Sequence, residues 1–219
     1  MDSHSSKYTE TDPDPGPELL RVIYHIAASA FQSGLTLERW KQITTCMIEK
    51  IPGVPCINKL RVIHLYEADY NAFNKMIWQR GVIWDAHKQY TLNLAQSGSR
   101  PYHTNLEVVM SKEQKYLYCQ LTRTCMATMD NDAKACYDRI VASLALIISH
   151  HFGVPEELCK TVGETLCLME FRLRTAMGVS KQHYSHSPTT PIHGVGQGGT
   201  ASPAFWLLVS SILFNCYQS

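Results

Sequence analysis

The sequence predicts a helix-rich α+β fold with a small antiparallel sheet. Three observations carry that expectation. Apolar residues recur at helical spacing over several long segments. One short run, Lys59 to Tyr66 (KLRVIHLY), is dense in β-branched and aromatic residues instead. Gly- and Pro-bearing breaks then separate these segments, a pattern of many helices with a few strands. With 219 residues, 45% of them hydrophobic and 18% charged, the chain can bury a sizeable core.

Taken in order, residues 1–16 are polar and Pro-punctuated and are expected to be a disordered tail. Leu19, Leu20, Val22, Ile23, Ile26 and Ala27 predict a first helix from Pro17 to Gln32, ended by Gly34. Thr36, Glu38 and Arg39 look like the start of a second helix, running to Ile51. Pro52, Gly53 and Pro55 break it, and Lys59 to Tyr66 is the expected strand. Helical spacing returns over Glu67 to Tyr90 and over Leu106 to Leu121, with a loop at Gln96 to Pro101. Cys125 to Met129 is short and apolar and is expected to be a buried strand. Helices follow over Ala133 to His151, with Ile140, Leu144, Ile147 and Ile148 on one face, and from Pro155 to Thr175. Met177 to Gly199 is expected to be a loop or hairpin with short strands, and a last helix starts at Ser202.

The formal net charge is +1, so no strong global attraction to nucleic acid follows. Locally, however, no Asp or Glu occurs after Glu170, whereas Arg172, Arg174 and Lys181 do. The eight cysteines show no C-x-x-C pair, which gives zinc little support. The polar, acidic start lacks a secretory pattern, and Pro203 to Tyr217 is too short to span a bilayer comfortably. The expectation is an intracellular protein, cytoplasmic or nuclear, with no membrane partner.

Two segments carry chemistry. Asp130 to Ile140 (DNDAKACYDRI) places carboxylates where an apolar run hands over to a helix. Such a carboxylate can hold Mg²⁺, which takes hard oxygen ligands and completes its shell with water and phosphate. An Asp at that boundary can equally be a plain N-cap. Gly194 to Pro203 (GVGQGGTASP) has four glycines within six residues, which allow close backbone approach to another molecule or simply supply turns. Ser202 and Pro203 suit an N-cap followed by a first helical residue. The segment fits neither the P-loop nor the dinucleotide fingerprint.

Together the segments are far more specific. G-x-x-Q-G-x-x-x-S-P resembles the palm motif of reverse transcriptases from retroelements and group II introns. Asp132 and Asp138, with Tyr137 between them, resemble that family's first catalytic motif, and the order along the chain agrees. Asn58 to Ile63 is similar to its fingers strand. The resemblance covers roughly residues 50–219 and implies a partial right-hand polymerase: a disordered tail (1–16), a helical N-terminal segment (17–50), a fingers-like region (51–122) and an incomplete palm (123–219).

The resemblance also implies roles. Asp132 would be the catalytic metal carboxylate, with Asp130 the next candidate and the backbone carbonyl of Ala133 joining the metal shell. Tyr137 would stack under the incoming sugar, or else pack in the core. Gln197 would touch the incoming nucleotide and template, with Gly196 and Gly198 leaving room. Lys59 and Arg61, on one face of a strand, would grip the triphosphate or form a solvated face. The implied cofactor is Mg²⁺ and the implied partners are an RNA or DNA template-primer and a deoxynucleotide. The family's Tyr-x-Asp-Asp hairpin does not occur before Ser219. One carboxylate does not make a two-metal site. The expectation is therefore a domain cut before its catalytic centre is complete and inactive as this chain alone. The other readings left open are a non-catalytic nucleic-acid-binding remnant and an unrelated helical interaction protein.

Overall fold

A computed structural model describes residues 16–54, 56–128, 133, 136–187, 189 and 194–218. The expected disordered tail over 1–15 lies outside these, whereas Gly16 already belongs to the first helix. The fold is α+β and helix-rich, with a small mixed sheet rather than an antiparallel one.

Helix α1 (Gly16–Ser33) turns its small residues Ala27 and Ala30 inward. The expected second helix is instead a 3₁₀ turn, Glu38–Lys41, and a strand, β1 (Gln42–Glu49). The reason lies in the residues. Ile43, Thr44, Thr45 and Ile48 are β-branched, and Ile43 and Thr45 alternate as buried positions with period two. Trp40, on the turn, is buried and donates its Nε1–H to Asp69 Oδ2 at 3.2 Å. β2 (Leu60–Leu65) is the expected strand and pairs antiparallel with β1. A 3₁₀ turn, Ile57–Lys59, leads into it, so Lys59 is not on the strand and does not share a strand face with Arg61.

One continuous helical stretch then runs through α2 (Ala68–Asn74), a π-type segment (Lys75–Val82) and α3 (Ile83–Lys88). The wider segment sends Trp78 into the core while its Nε1–H donates to Asn74 Oδ1 at 3.2 Å. α4 (Asn105–Thr122) follows the loop and buries none of its residues. Cys125 to Thr128 form no strand. All four are exposed, so the apolar run has no sheet to join. Met129 lies outside the described residues.

The expected helix from Ala133 is broken. α5 (Cys136–Arg139) and α6 (Ala142–His151) are separated by Ile140 and Val141. The break changes which residues face inward: Ile140 and Ile148 are buried, but Leu144 and Ile147 are 47% and 67% exposed. The next expected helix also splits, into α7 (Glu156–Cys167) and β3 (Glu170–Thr175). Phe171 and Leu173 alternate with Arg172 and Arg174, a period of two that suits a strand. β3 runs parallel to β1 and carries two short antiparallel partners on its other edge, β4 (Gly178–Val179) and β5 (Tyr184–Ser185). α8 (Ser202–Gln218) closes the described chain.

Two cores result. One joins Trp78, Ile83, Ala145, Ile148, Val162 and Phe205 from the helices. The rings of Trp78 and Phe205 meet at a tilt, centroids 4.5 Å apart, each burial contributing roughly 1.5–3 kcal/mol. The other lies between the sheet's inner face, with Ile43 and Phe171, and α1 and α2, with Ala30, Tyr70 and Phe73. Phe31 and Leu166 pack against both. Among the described residues, no helix is long and apolar enough to cross a membrane.

Candidate functional site

The glycine segment runs along the free edge of β2. The N–H of His64 that points away from β1 donates to the carbonyl of Gln197 at 2.6 Å. On the other side, the N–H of Val195 donates to the carbonyl of Tyr137 at 2.9 Å. The loop therefore joins β2 to the segment that follows Asp132. Gly194 lies so close to α5 that a Cβ there would come within 2.6 Å of the Asp138 Cα. Gly196 and Gly198 have φ of 70° and 120°, conformations that L side chains rarely adopt. A Cβ on Gly196 would overlap the Tyr66 hydroxyl, and one on Gly198 the His64 carbonyl. The close approach that these glycines permit is to the chain's own β2.

Further bonds fix the loop. Tyr66 Oη–H donates to the carbonyl of Val195 at 3.2 Å. Thr200 N–H donates to Asn71 Oδ1 at 3.1 Å, and Gln79 Nε2–H donates to the Thr200 carbonyl at 2.7 Å. Ser202 was expected to cap α8 by accepting from its first N–H groups. Its hydroxyl instead donates backward, to the carbonyls of Val195 and Gly196 at 2.9 and 2.8 Å, and the side chain is buried.

Beneath the loop lies a cavity of about 40 Å³ lined by His64, Tyr66, Asp138, Met169, Phe171 and Gly194 to Gly196. That is room for a water or two and excludes a nucleotide. Thr45 Oγ1 lies 3.2 Å from His64 Nδ1 and 3.3 Å from the Tyr184 hydroxyl, and Tyr184 stacks on Phe171 at 5.2 Å. Burial holds the His64 pKa below its ordinary value, opposed by the negative charge of Asp138. Burial, then Tyr70 and Asp138, pushes the Tyr66 phenol well above its ordinary range.

Asp132 and Asp130 lie outside the described residues. Ala133 is exposed and lines two adjoining grooves, one of about 480 Å³ between α5–α6 and α8 and one of about 310 Å³ along α8 beside Gln96. Among the described residues their walls are mainly apolar, with Trp206, Val209 and Leu213, and carry no carboxylate. Among the described residues, no group of three His, Cys, Asp or Glu could hold a metal ion. Of the two expected Mg²⁺ ligands, only Ala133 lies among the described residues. Tyr137 is half-buried against the helical core, and burial raises its phenol pKa. Gln197 is half-buried, and its backbone rather than its side chain holds the loop to β2.

Arg61 faces away from the loop. In the β1–β2 register it opposes Ile48, whereas His64 opposes Thr45 on the inner face. Arg172 and Arg174 oppose Thr44 and Cys46, so the three arginines share the outer face. Among the described residues no helix covers that face: Ile48 and Leu65 are 53% and 45% exposed. No ion pair involves these arginines among the described residues, and Arg172 Nε is enclosed without a partner. The alternation in KLRVIHLY separates His64 from Arg61, but which face is covered depends on α1 and α2, distant in sequence. His64, Tyr66 and Asn71 have no motif of their own. No family model matches the chain, and no curated protein matches it either.

Proposed function

We propose that this chain forms the fingers and the first part of the palm of a template-directed nucleic-acid polymerase of the reverse transcriptase type. Its partners would be a template-primer and a deoxynucleotide. The observation that carries the reading is the bond from Val195 to Tyr137. It joins the glutamine loop directly to the segment of the first catalytic motif, 58 positions earlier in the chain. That the two motifs meet in the fold supports the reading. In this reading Asp132 binds Mg²⁺ with the Ala133 carbonyl, Tyr137 lies under the sugar and Gln197 meets the nucleotide. Residues 171–219 contain no Asp or Glu, so any further metal carboxylate comes from elsewhere. Photo-crosslinking tests the reading: a template-primer with a photoreactive base opposite the primer end should attach to a peptide containing Gln197. Attachment only to other peptides would oppose it.

A second reading, nucleic-acid binding without catalysis, draws on the outer face of the sheet. Arg172 and Arg174 are about 7 Å apart on one strand, a spacing that suits successive phosphates. Under this reading RNA binding depends on Arg61, Arg172 and Arg174 and steeply on salt, but not on Mg²⁺ or a nucleotide.

A further inference from the structure

Arg100 sits in the loop between α3 and α4 and is 6% exposed, yet it has no carboxylate partner among the described residues. Its Nε–H donates to His87 Nδ1 at 3.0 Å and its Nη1–H to the carbonyl of Asn93 at 3.2 Å. Both partners are uncharged, since a His87 that accepts at Nδ1 is neutral. An enclosed guanidinium without a counter-charge is costly. The carbonyl end of α3 offsets part of that cost, because cations are favoured at a helix C-terminus. Among the described residues Nη2 makes no hydrogen bond, which leaves it as the nitrogen available to an outside acceptor.

The surrounding loop holds this geometry against its own preferences. Ser99 and Tyr102, which flank Arg100, have φ of 60° and 62°, and Tyr90 has 57°. Such residues cost of order 1–3 kcal/mol each and persist where the surroundings fix them. Here Asn93 and Gln96 tie the loop to α8 through Asn215 and Ser210, both at 2.6 Å. His103 brings a second basic group, its ring 5.9 Å from that of His87 and its Nδ1 3.1 Å from Glu107 Oε2.

We propose that Arg100, with His87 and His103, forms a binding site for a phosphate group. A phosphate oxygen at Nη2 would accept the bond that the fold leaves unmade, and the group would supply the charge that the fold does not. Burial holds the His87 pKa below its ordinary value, helped by the charges of Arg100 and His103. The other charged groups near His87 are Glu107, behind His103, and Asp85 and Lys88 on α3 itself. A phosphate at Nη2 would offset the charge of Arg100 and let the His87 pKa rise.

NMR titration of the imidazoles in the full chain tests this. Inorganic phosphate, and separately an oligouridylate, are added at constant ionic strength against chloride. The site predicts a saturable rise of the His87 pKa with phosphate that chloride does not reproduce. It also predicts that Arg100→Gln abolishes the rise while the Trp84 indole signal stays native. If Arg100→Gln does not fold, His103→Gln carries the test: the rise should persist with weaker affinity. A response to inorganic phosphate identifies a free-phosphate site. A response to oligouridylate alone identifies a backbone phosphate, and either supports the proposal. No rise in the wild type, an equal rise with chloride, a rise retained in a folded Arg100→Gln, or one unaltered in His103→Gln would overturn it.

Discussion

The backbone of His64 donates to the carbonyl of Gln197 at 2.6 Å, tying a strand from the first third of the chain to a loop near its end. Because the bond is backbone to backbone, its geometry depends on what the loop residues allow, and that makes it testable by glycine substitution.

Gly198→Ala should destabilise the protein by more than Gly153→Ala. Both glycines have positive φ, 120° and 94°, so both variants incur backbone strain of about 1–3 kcal/mol. Only at Gly198 would the added Cβ also overlap the His64 carbonyl, whereas Gly153 has open space. Urea unfolding of the two variants measures the difference. Equal losses would mean that the loop does not dock on β2.

Trp78→Ala should cost about 3–5 kcal/mol, the range for removing a fully buried tryptophan. It takes away the ring contact with Phe205 and leaves Asn74 Oδ1 without its donor. Thermal or chemical unfolding reads the loss.

Acidification should loosen the His64 end of the site. The folded pKa of His64 lies below 6.5, so in the window just below 6.5 the unfolded chain binds more protons than the folded one. The contribution is fully present above pH 6.5 and falls as the pH drops toward the folded pKa. His64→Gln should flatten that part of the stability-pH curve. His87, whose pKa is also lowered, contributes a slope of the same sign, so the comparison is between the curves of wild type and variant.

Replacing Arg61, Arg172 and Arg174 together with Gln should lower the salt slope of RNA binding by about 2. Each lost phosphate contact to a single strand removes roughly 0.7 from the slope. Anisotropy titrations across a salt series measure it, and an unchanged slope would remove the sheet's outer face from the interface.

Residues with strong local patterns were legible in the sequence: α1, the strand at Leu60, the helix after Glu67 and the one from Ser202 follow from residue types and spacing. β1 and β3 were not. Thr36, Glu38 and Arg39 look like a helix start, and only pairing on both sides of Gln42 to Glu49 decides for strand. Leu106 to Leu121 reads as a helix and is one, yet it buries nothing, which periodicity does not reveal. For the candidate site, the glycine loop stood out from residue types and spacing, and Tyr137 only through the family resemblance. His64, Tyr66 and Asn71 were not, because their roles come from a loop more than 120 positions away.

Nucleotide binding tests the central claim most directly. With a primer-template and Mg²⁺ present, the chain should bind the deoxynucleotide complementary to the templating base more tightly than the three mismatched ones. Gln197→Ala should weaken that binding, and Tyr137→Val should reduce the preference for a deoxynucleotide over the matching ribonucleotide. Binding that ignores the templating base, or that both substitutions leave unchanged, would contradict the polymerase reading.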